Sequence, residues 1–267
     1  MRDPLLVVIF LPGAGGGVPD LTLFKADRDD TTRFEAVVYP GWSRYVEDGF
    51  SAEVLVKELA DEIEKKIPHG PIRIVGMSIG GHFGYAAATR LQASGREIAG
   101  FCAIDTFMIA SAAPSTGWMG RAMTQGFDML RERRISDLGR FVRSLFWRAL
   151  FRLARGRLPG LLRGFSSSGR LPSFSKVDPL FEKELSMRLL IRETAPWIAS
   201  LDRDPVPLNA PAVLIRSRLT AVDDAAWRRR CPNIEICEIP GTHQTLSDPG
   251  NIGLLREAFI NATRDWR

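Results

Sequence analysis

The sequence predicts an α/β fold in which helices flank a mostly parallel central sheet. Six short apolar runs rich in β-branched residues recur along the chain: LLVVIF (5–10), EAVVY (35–39), IRIVGM (72–77), IAGFCAI (98–104), AVLIRS (212–217) and IEICEI (234–239). Continuous apolar strands of this kind are typical of a parallel sheet that is covered on both faces. Helical spacing at 52–66, 79–93 and 252–263 alternates with the strands, as in right-handed βαβ units.

The length and composition agree with one such domain. The chain has 267 residues, of which 45% are apolar and 25% charged, so it can bury a sizeable core. No apolar stretch approaches the roughly 20 residues that span a bilayer, and Asp3 interrupts the cationic start of a signal peptide. We therefore expect residues 1–267 to form a single cytoplasmic domain that binds neither membranes nor nucleic acid.

Cysteine usage gives no sign of a disulfide framework or a metal site. The three cysteines, Cys102, Cys231 and Cys237, are odd in number and lack C-x-x-C spacing. We predict that they are small buried hydrophobic residues and that the protein holds no metal.

The strand and helix alternation fails between about residues 107 and 207. This segment has a helical pattern at 133–155, a break rich in Gly, Ser and Pro at 158–175, and a further helical piece that ends near Trp197. We interpret it as a helical lid insertion on the sheet, because insertions at the carboxyl ends of parallel strands border ligand sites. Between residues 131 and 170 it also carries eleven arginines against two acidic residues. These arginines are either a docking face for an acidic partner or a solvated surface.

The stretch GMSIGG at residues 76–81 has the pattern of a catalytic turn. G-x-S-x-G between a strand and a helix is typical of a nucleophile elbow, in which glycines allow a sharp turn and the serine is displayed above the sheet. Ser78 is therefore the candidate nucleophile. The amide of Ile79 lies at the helix amino terminus, where a developing negative charge is favoured, and is a candidate oxyanion donor.

A serine nucleophile needs a base, and the chain has three histidines. His69 lies in a turn ahead of a strand, where a solvated side chain is expected. His82 follows the elbow on a helix that turns it away from Ser78, which favours packing or a surface hydrogen bond. His243 lies in GTHQTL, after the last predicted strand. A loop at that position can bring an imidazole to the elbow, so we predict that His243 is the base.

Two positions compete for the acid that orients the base. Asp105 ends the strand that follows the elbow helix, and Asp223 or Asp224 lies after AVLIRS. We favour Asp105, because an acid beside the apolar run FCAI is half-desolvated and needs a partner. Asp223 and Asp224 are readily explained as a helix N-cap.

The loop LPGAGGG at residues 11–17 is the candidate source of a second oxyanion donor. It follows the first predicted strand, and its glycines let the backbone N–H of Gly13 or Ala14 reach the substrate. A phosphate cradle is disfavoured because the Lys-Ser/Thr of a P-loop is missing, and no dinucleotide fingerprint is present. No cofactor is expected.

Four of these segments, IFLPGAGGG, GMSIGG, AIDT and GTHQTL, together resemble the thioesterase family that releases products from polyketide and nonribosomal peptide synthetases. Its members are α/β-hydrolases that act on acyl chains tethered to a carrier protein by phosphopantetheine. In synthetase-fused members the acid follows the strand after the elbow helix, which matches Asp105. In stand-alone editing members it follows the next strand, near Asp223. The likeness covers nearly the whole chain and is weakest in the insertion.

The resemblance implies cleavage of a carrier-bound thioester through an acyl-serine, which hydrolysis or cyclisation then resolves. It implies an acyl or peptidyl carrier protein as partner, with phosphopantetheine arriving on that partner. The Arg-rich lid is then either the docking face for this carrier, a solvated surface or a basic face that lies on a membrane. Five apolar residues either line an acyl channel or simply pack, and they are Phe141, Leu145, Phe146, Leu150 and Phe151. The alternative functions are a stand-alone editing thioesterase, a carboxylesterase or lipase on free esters, and a non-catalytic binding module.

Overall fold

The computed structural model describes residues 6–26, 31–107, 131, 139, 141–143, 145–147, 149, 160, 162–164, 178–220, 222–246 and 248–266. The chain divides into two compact units. The first comprises Met1–Tyr39, Ser51–Ser111 and Thr194–Arg267, and the second comprises Pro40–Phe50 and Ala112–Glu193. Whether residues 107–207 act as a lid on a single domain stays a prediction.

The first unit is built on a parallel sheet. In the described part of the chain its six strands are β1 (Leu6–Leu11), β2 (Thr32–Ala36), β3 (Ile72–Met77), β4 (Ile98–Ile104), β5 (Ala212–Ser217) and β6 (Ile234–Ile239). Their order across the sheet is β2-β1-β3-β4-β5-β6, and all neighbours are parallel. Strands β3 to β6 have the bounds that the sequence predicts, since buried parallel strands are continuous apolar runs.

The helices of the described residues are α1 (Ala52–Lys66), α2 (Ile79–Ala93), α3 (Pro179–Ser200), α4 (Asp224–Arg230) and α5 (Pro249–Ala262). Helices α1 and α2 have the predicted bounds. Helix α5 begins three residues earlier than predicted, because proline is favoured in the first helical turn. No helix in this described part of the chain is long and apolar enough to cross a membrane.

Strand β2 lies three residues before its predicted position at 35–39. It is an edge strand, so its charged residues Arg33 and Glu35 remain partly exposed and pair with each other at 2.7 Å. The apolar run from Val37 to Tyr39, on which the prediction depends, follows the strand. Val37 N still donates to Phe10 O at 2.9 Å, and beyond it the chain leaves the sheet.

The strand order reverses between β1 and β3, which are neighbours in the sheet. In open α/β sheets, ligands bind beyond the carboxyl ends of the strands at such a switch point. The loop LPGAGGG follows β1, and GMSIGG begins at the end of β3. The topology therefore brings the two glycine-rich motifs to one edge of the sheet, above a fully buried layer that includes Val75 and Phe101.

The second unit has its own aromatic contacts. Trp147 Nε1 donates to Asp178 Oδ2 at 2.9 Å, and the Trp147 ring lies edge-on to Phe181 with centroids 4.5 Å apart. Elsewhere in this unit, the Tyr45 hydroxyl donates to the Pro40 carbonyl at 2.9 Å. Helix α3 begins in the second unit and ends in the first.

Candidate active site

Ser78 lies at a sharp turn between β3 and α2. Its backbone has φ 55° and ψ −126°, a region that normally admits only glycine. A Cβ atom at Gly76 would overlap the carbonyl oxygen of Gly80, and one at Gly80 would overlap the carbonyl oxygen of Leu11. The glycines of G-x-S-x-G are thus required by close approach of backbone to backbone, and they let Ser78 be displayed above the sheet.

The loop between β6 and α5 brings His243 to Ser78. The Oγ atom of Ser78 lies 3.2 Å from Nε2 of His243, although 165 residues separate them in sequence. The imidazole is partly exposed, with 30% of its side-chain surface accessible. The Phe107 ring packs edge-on against it, with ring centroids 4.9 Å apart.

Asp105 follows β4 and lies on the other side of the imidazole. Its Oδ2 atom is 2.7 Å from His243 Nδ1, while Oδ1 accepts hydrogen bonds from the backbone N–H and the hydroxyl of Ser217, both at 2.8 Å. Burial raises the pKa of this carboxyl, but the hydrogen bonds from His243 and Ser217 outweigh burial and lower the pKa below its ordinary value. The ionised carboxylate accepts a hydrogen bond from Nδ1–H of His243, which leaves the lone pair of Nε2 to accept a hydrogen bond from the Ser78 hydroxyl.

Ser78 and Asp105 share an uncommon backbone conformation. Among the described residues they are the only non-glycine residues with positive φ, at 55° and 47°. Strained backbone of this kind clusters at functional sites, where the surrounding structure holds it in place. The strain therefore falls on two of the three residues that meet here.

The alternative acids make other contacts. Asp223 Oδ1 accepts from the backbone N–H of Ala226 at 2.9 Å and caps α4. The carboxylate of Asp224 lies 3.5 Å from Arg216 Nε. The structure thus brings Asp105 to His243, and it uses Asp223 as the helix cap.

The predicted oxyanion donors border Ser78 on two sides. Ile79 is the first residue of α2, so its N–H has no acceptor within the helix. A Cβ atom at Gly13 would lie 3.4 Å from Ser78 Cβ, so the loop after β1 passes directly beside the serine. The Tyr39 hydroxyl donates to the Pro12 carbonyl at 2.6 Å and holds this loop. Oxyanion binding by Ile79 and Gly13 stays a prediction.

A thioesterase-domain family model matches residues 7–147, which is more than half of the chain. The chain belongs to the thioesterase family. Solved structures share the fold. The Vlm2 thioesterase domain has a TM-score of 0.59 and 18% identity, over 96% of this chain and 91% of that one. The NocB thioesterase domain, in a covalent complex with a fluorophosphonate nocardicin G analogue, has a TM-score of 0.56 and 16% identity, over 96% of this chain and 94% of that one.

A third thioesterase domain, SrfTE, described in the cyclisation of the lipopeptide surfactin, has a TM-score of 0.53 and 15% identity, over 97% of this chain and 91% of that one. At these identities the likeness establishes the fold, and together with the parallel sheet it confirms the predicted α/β-hydrolase architecture. No curated protein matches this thioesterase in sequence comparison.

The other two histidines of this thioesterase lie away from Ser78. His69 is exposed in the turn before β3. His82 is 1% exposed; its Nδ1 lies 2.8 Å from Arg230 Nη1 and its Nε2 lies 3.1 Å from the Phe107 carbonyl oxygen. Because a guanidinium only donates, Nδ1 of His82 accepts and Nε2–H donates. Of the two roles predicted for His82, the structure shows the packed, buried side chain and not the surface hydrogen bond, and its partner is a buried cation.

Sequence reasoning missed the contacts of Ser217, Phe107 and Tyr39. For Ser217 a signal existed, since it ends a predicted strand and the carboxyl ends of neighbouring parallel strands lie side by side. Ile104 on β4 pairs with Ile215 on β5 in the sheet register. For Phe107 and Tyr39, the sequence shows no pattern that brings them to this edge.

The apolar residues predicted to line an acyl channel are described in part. Phe141, Leu145 and Phe146 are helical, and Phe146 is 59% exposed. Leu150 and Phe151 lie outside the described residues. An acyl channel in this thioesterase stays a prediction.

Two of the predicted docking arginines are paired with acids of the second unit. Arg143 Nε lies 3.2 Å from Asp178 Oδ2, and Arg163 Nη2 lies 3.3 Å from Glu193 Oε2. Arg131 is exposed. The remaining arginines lie outside the described residues: Arg133, Arg134, Arg140, Arg148, Arg152, Arg155, Arg157 and Arg170.

The cysteines of the thioesterase are free thiols. Cys102 and Cys231 are buried, as predicted, whereas the prediction is wrong for Cys237, which is partly exposed on edge strand β6. Burial raises the pKa of the Cys231 thiol to about 12, so it stays protonated. Within the described residues, no group of three or more His, Cys, Asp or Glu could hold a metal ion.

Proposed function

We propose that this chain is a serine thioesterase that releases acyl or peptidyl chains from the phosphopantetheine of a carrier protein. One arrangement carries the proposal. Ser78 Oγ lies 3.2 Å from His243 Nε2, and His243 Nδ1 lies 2.7 Å from Asp105 Oδ2, in a chain of the thioesterase family. These are the contacts by which a base activates a serine and an acid orients the base.

In the first half-reaction, Nε2 of His243 takes the hydroxyl proton as Ser78 Oγ attacks the thioester carbonyl carbon. The oxyanion that forms is held by the N–H groups of Ile79 and Gly13, and the imidazolium is stabilised by Asp105. The C–S bond then breaks, and Nε2 returns its proton to the departing thiolate sulfur. The products are an acyl-serine and the free thiol of the carrier.

In the second half-reaction, His243 removes a proton from the incoming nucleophile, which attacks the acyl-serine carbonyl. Water gives a carboxylic acid, whereas a hydroxyl or amine of the acyl chain gives a ring. The C–O bond to Ser78 breaks and Oγ receives the proton from His243. The partly exposed imidazole is consistent with access for either nucleophile.

A carrier protein as partner is supported by two observations. A four-domain nonribosomal peptide synthetase, bound to AMP and glycine, contains a region of this fold. It matches with a TM-score of 0.58 and 16% identity over 96% of this chain, which is 19% of that one. The Arg-rich segment 131–170 complements an acidic carrier surface, and we propose it as the docking face.

Hydrolysis of matched substrates tests the proposal. Acyl groups are presented on a phosphopantetheinylated carrier protein, as N-acetylcysteamine thioesters and as ethyl esters. We expect thioester turnover that falls by at least about a thousandfold in Ser78→Ala, because the three residues act as a unit. Ser94→Ala, at the opposite end of α2, is the matched control and should retain full turnover.

The outcomes separate the alternatives. Retained turnover in Ser78→Ala would exclude this mechanism. Equal or faster cleavage of the ethyl esters would indicate a carboxylesterase or lipase. Failure of a fluorophosphonate to label Ser78 would indicate a binding module that has the fold without the chemistry.

A further inference from the structure

Two hydroxyl groups lie behind Asp105, in the turn that follows β5. Ser217 Oγ is 2.8 Å from Asp105 Oδ1 and 2.6 Å from Thr220 Oγ1. Thr220 Oγ1 in turn accepts from the backbone N–H of His243 at 2.9 Å. With the 2.7 Å contact between His243 Nδ1 and Asp105 Oδ2, these contacts close a ring of four residues.

The protons available fix the direction of this ring. An ionised carboxylate only accepts, so the one hydroxyl proton of Ser217 goes to Asp105. Ser217 has no second proton, so the 2.6 Å contact between the two hydroxyls requires Thr220 to donate to Ser217 Oγ, while Thr220 Oγ1 accepts from the N–H of His243. Every donor in the ring therefore has an acceptor. Hydrogen bonds aligned in this way polarise and strengthen one another.

The turn that carries the two hydroxyls is fixed by its backbone. Thr220 N donates to Ser217 O at 3.2 Å, and Arg218 N donates to Ile239 O at the end of β6 at 2.8 Å. Ser217 is fully buried. The hydroxyls are thus held in place against the end of β6, the strand that the His243 loop follows.

We propose that Ser217 and Thr220 are positioning residues for the triad, an inference that rests on the proposed function. The ring ties both the backbone and the imidazole of His243 to one carboxylate. Nε2 then stays directed at Ser78 whether or not it carries a proton. The turn after β5 thus supplies hydroxyls that orient an acid from β4.

The rate of fluorophosphonate labelling at Ser78 tests this inference, because it reports the reactivity of the serine without a carrier or a thioester. Thr220→Val keeps the shape of the side chain and removes the hydroxyl. We expect labelling to slow by about five- to tenfold, because that factor corresponds to the contribution of one buried hydrogen bond. Ser217→Ala should slow labelling by a similar factor. The double variant should be labelled no more slowly than the slower single variant, because either substitution alone already interrupts the ring.

A spectroscopic readout separates positioning from a general loss of structure. The proton NMR signal of His243 Nδ1–H, shifted downfield by its bond to Asp105, should move upfield in Thr220→Val and stay in place in Thr220→Ser, which keeps the hydroxyl. Thr89→Val is the matched control, because it removes a threonine hydroxyl bound to Ala86 O within α2. It should change neither signal nor rate.

Additive losses in the double variant, or an unchanged rate and signal in Thr220→Val, would overturn the inference. If Thr220→Val does not fold, Ser217→Ala and Thr220→Ser decide it by the same two measurements. A protein that is labelled at Ser78 but cleaves no thioester would contradict the proposed function. The labelling rates and the NMR signal would still decide whether Ser217 and Thr220 position the triad.

Discussion

Two histidines of the first unit use both ring nitrogens, yet their chemistry differs. His243 Nδ1 faces the carboxylate of Asp105, and its Nε2 faces the hydroxyl of Ser78. His82 Nδ1 faces the guanidinium of Arg230, and its Nε2 donates to a backbone carbonyl. The residue type and the number of contacts are the same. What differs is the burial of the ring and the sign of the charge beside it, since the His82 residue is 1% exposed and the His243 side chain 30%.

Burial and the neighbouring charge together decide whether the imidazole can take a proton. A carboxylate stabilises the imidazolium that forms when a serine is deprotonated. Burial, and then the positive charge of Arg230, lower the pKa of His82 to about 3. His82 therefore remains a neutral acceptor for a buried cation, although it lies only four residues after Ser78.

Arg230 itself has no exposed surface and is held from several sides. It pairs with Asp202 at 2.7 Å, and its guanidinium lies 5.2 Å from the centre of the Tyr85 ring and 5.1 Å from that of Trp227. Burial lowers the pKa of Arg230, and the charge of Asp202 opposes that shift. The His82 site is thus a structural network, and we expect its loss to lower the free energy of unfolding.

The largest expected contrast is in turnover. We expect His243→Gln to lower thioester hydrolysis on the order of 10⁴-fold or more, because glutamine can form hydrogen bonds but cannot accept and return a proton. His82→Gln can still accept from Arg230 and donate to the Phe107 carbonyl, so turnover should change less than about threefold. Steady-state rates of the two variants check this pair. Comparable losses would contradict the division of roles.

The next contrast is in the free energy of unfolding. Arg230→Met removes a buried cation and leaves Asp202 without its partner, so we expect a loss of about 3–5 kcal/mol. Arg218→Met removes an exposed ion pair with Glu238 and should cost less than about 1 kcal/mol. Urea unfolding followed by circular dichroism measures both. Equal losses would show that burial of Arg230 contributes nothing.

A smaller effect is expected in the pH dependence of stability. Because the pKa of His82 falls from 6.5 to about 3 on folding, the unfolded chain binds the extra proton between these values. Stability from this group is complete above pH 6.5 and is lost as the pH falls, by up to about 1.4 kcal/mol per pH unit. The lowered pKa of Asp105 affects stability only below pH 3.8, the ordinary pKa of this group, and so does not contribute in the range measured here. Urea unfolding between about pH 7 and pH 5 should therefore show a slope that is absent in His82→Gln.

The smallest effect concerns the second carboxylate that was considered for His243. Asp223→Ala removes the cap of α4, and we expect a loss of about 1 kcal/mol in the free energy of unfolding with unchanged turnover. Asp223→Asn keeps a capping side chain and is the control for both measurements. A large drop in turnover for Asp223→Ala would show that the acid had been assigned to the wrong strand.

Much of this arrangement could be predicted from the sequence because the signals were local. The elbow glycines, the apolar strands and the position of Asp105 at a strand end each follow from a few neighbouring residues. Edge strand β2 was predicted three residues too far along the chain, because its charged residues interrupt the apolar pattern of a strand and the apolar run that follows it has that pattern. The N-cap at Asp223 was also visible locally.

What could not be predicted depends on register between distant segments. The ring through Ser217 and Thr220 requires β4 and β5 to be aligned to within one residue. The pairing of His82 with Arg230 joins residues 148 positions apart, and no motif or spacing in the sequence predicts it. Apolar periodicity finds elements, whereas these contacts depend on how the ends of the elements meet.

The positive φ at Ser78 has a consequence for handling the protein. Ser78→Ala keeps the Cβ atom and thus the steric conflict, whereas Ser78→Gly relieves it. The free energy of unfolding of Ser78→Gly should therefore exceed that of Ser78→Ala by an amount on the order of 1 kcal/mol. If the proposed function holds, the glycine variant is the preparation of choice for trapping an uncleaved complex with a loaded carrier.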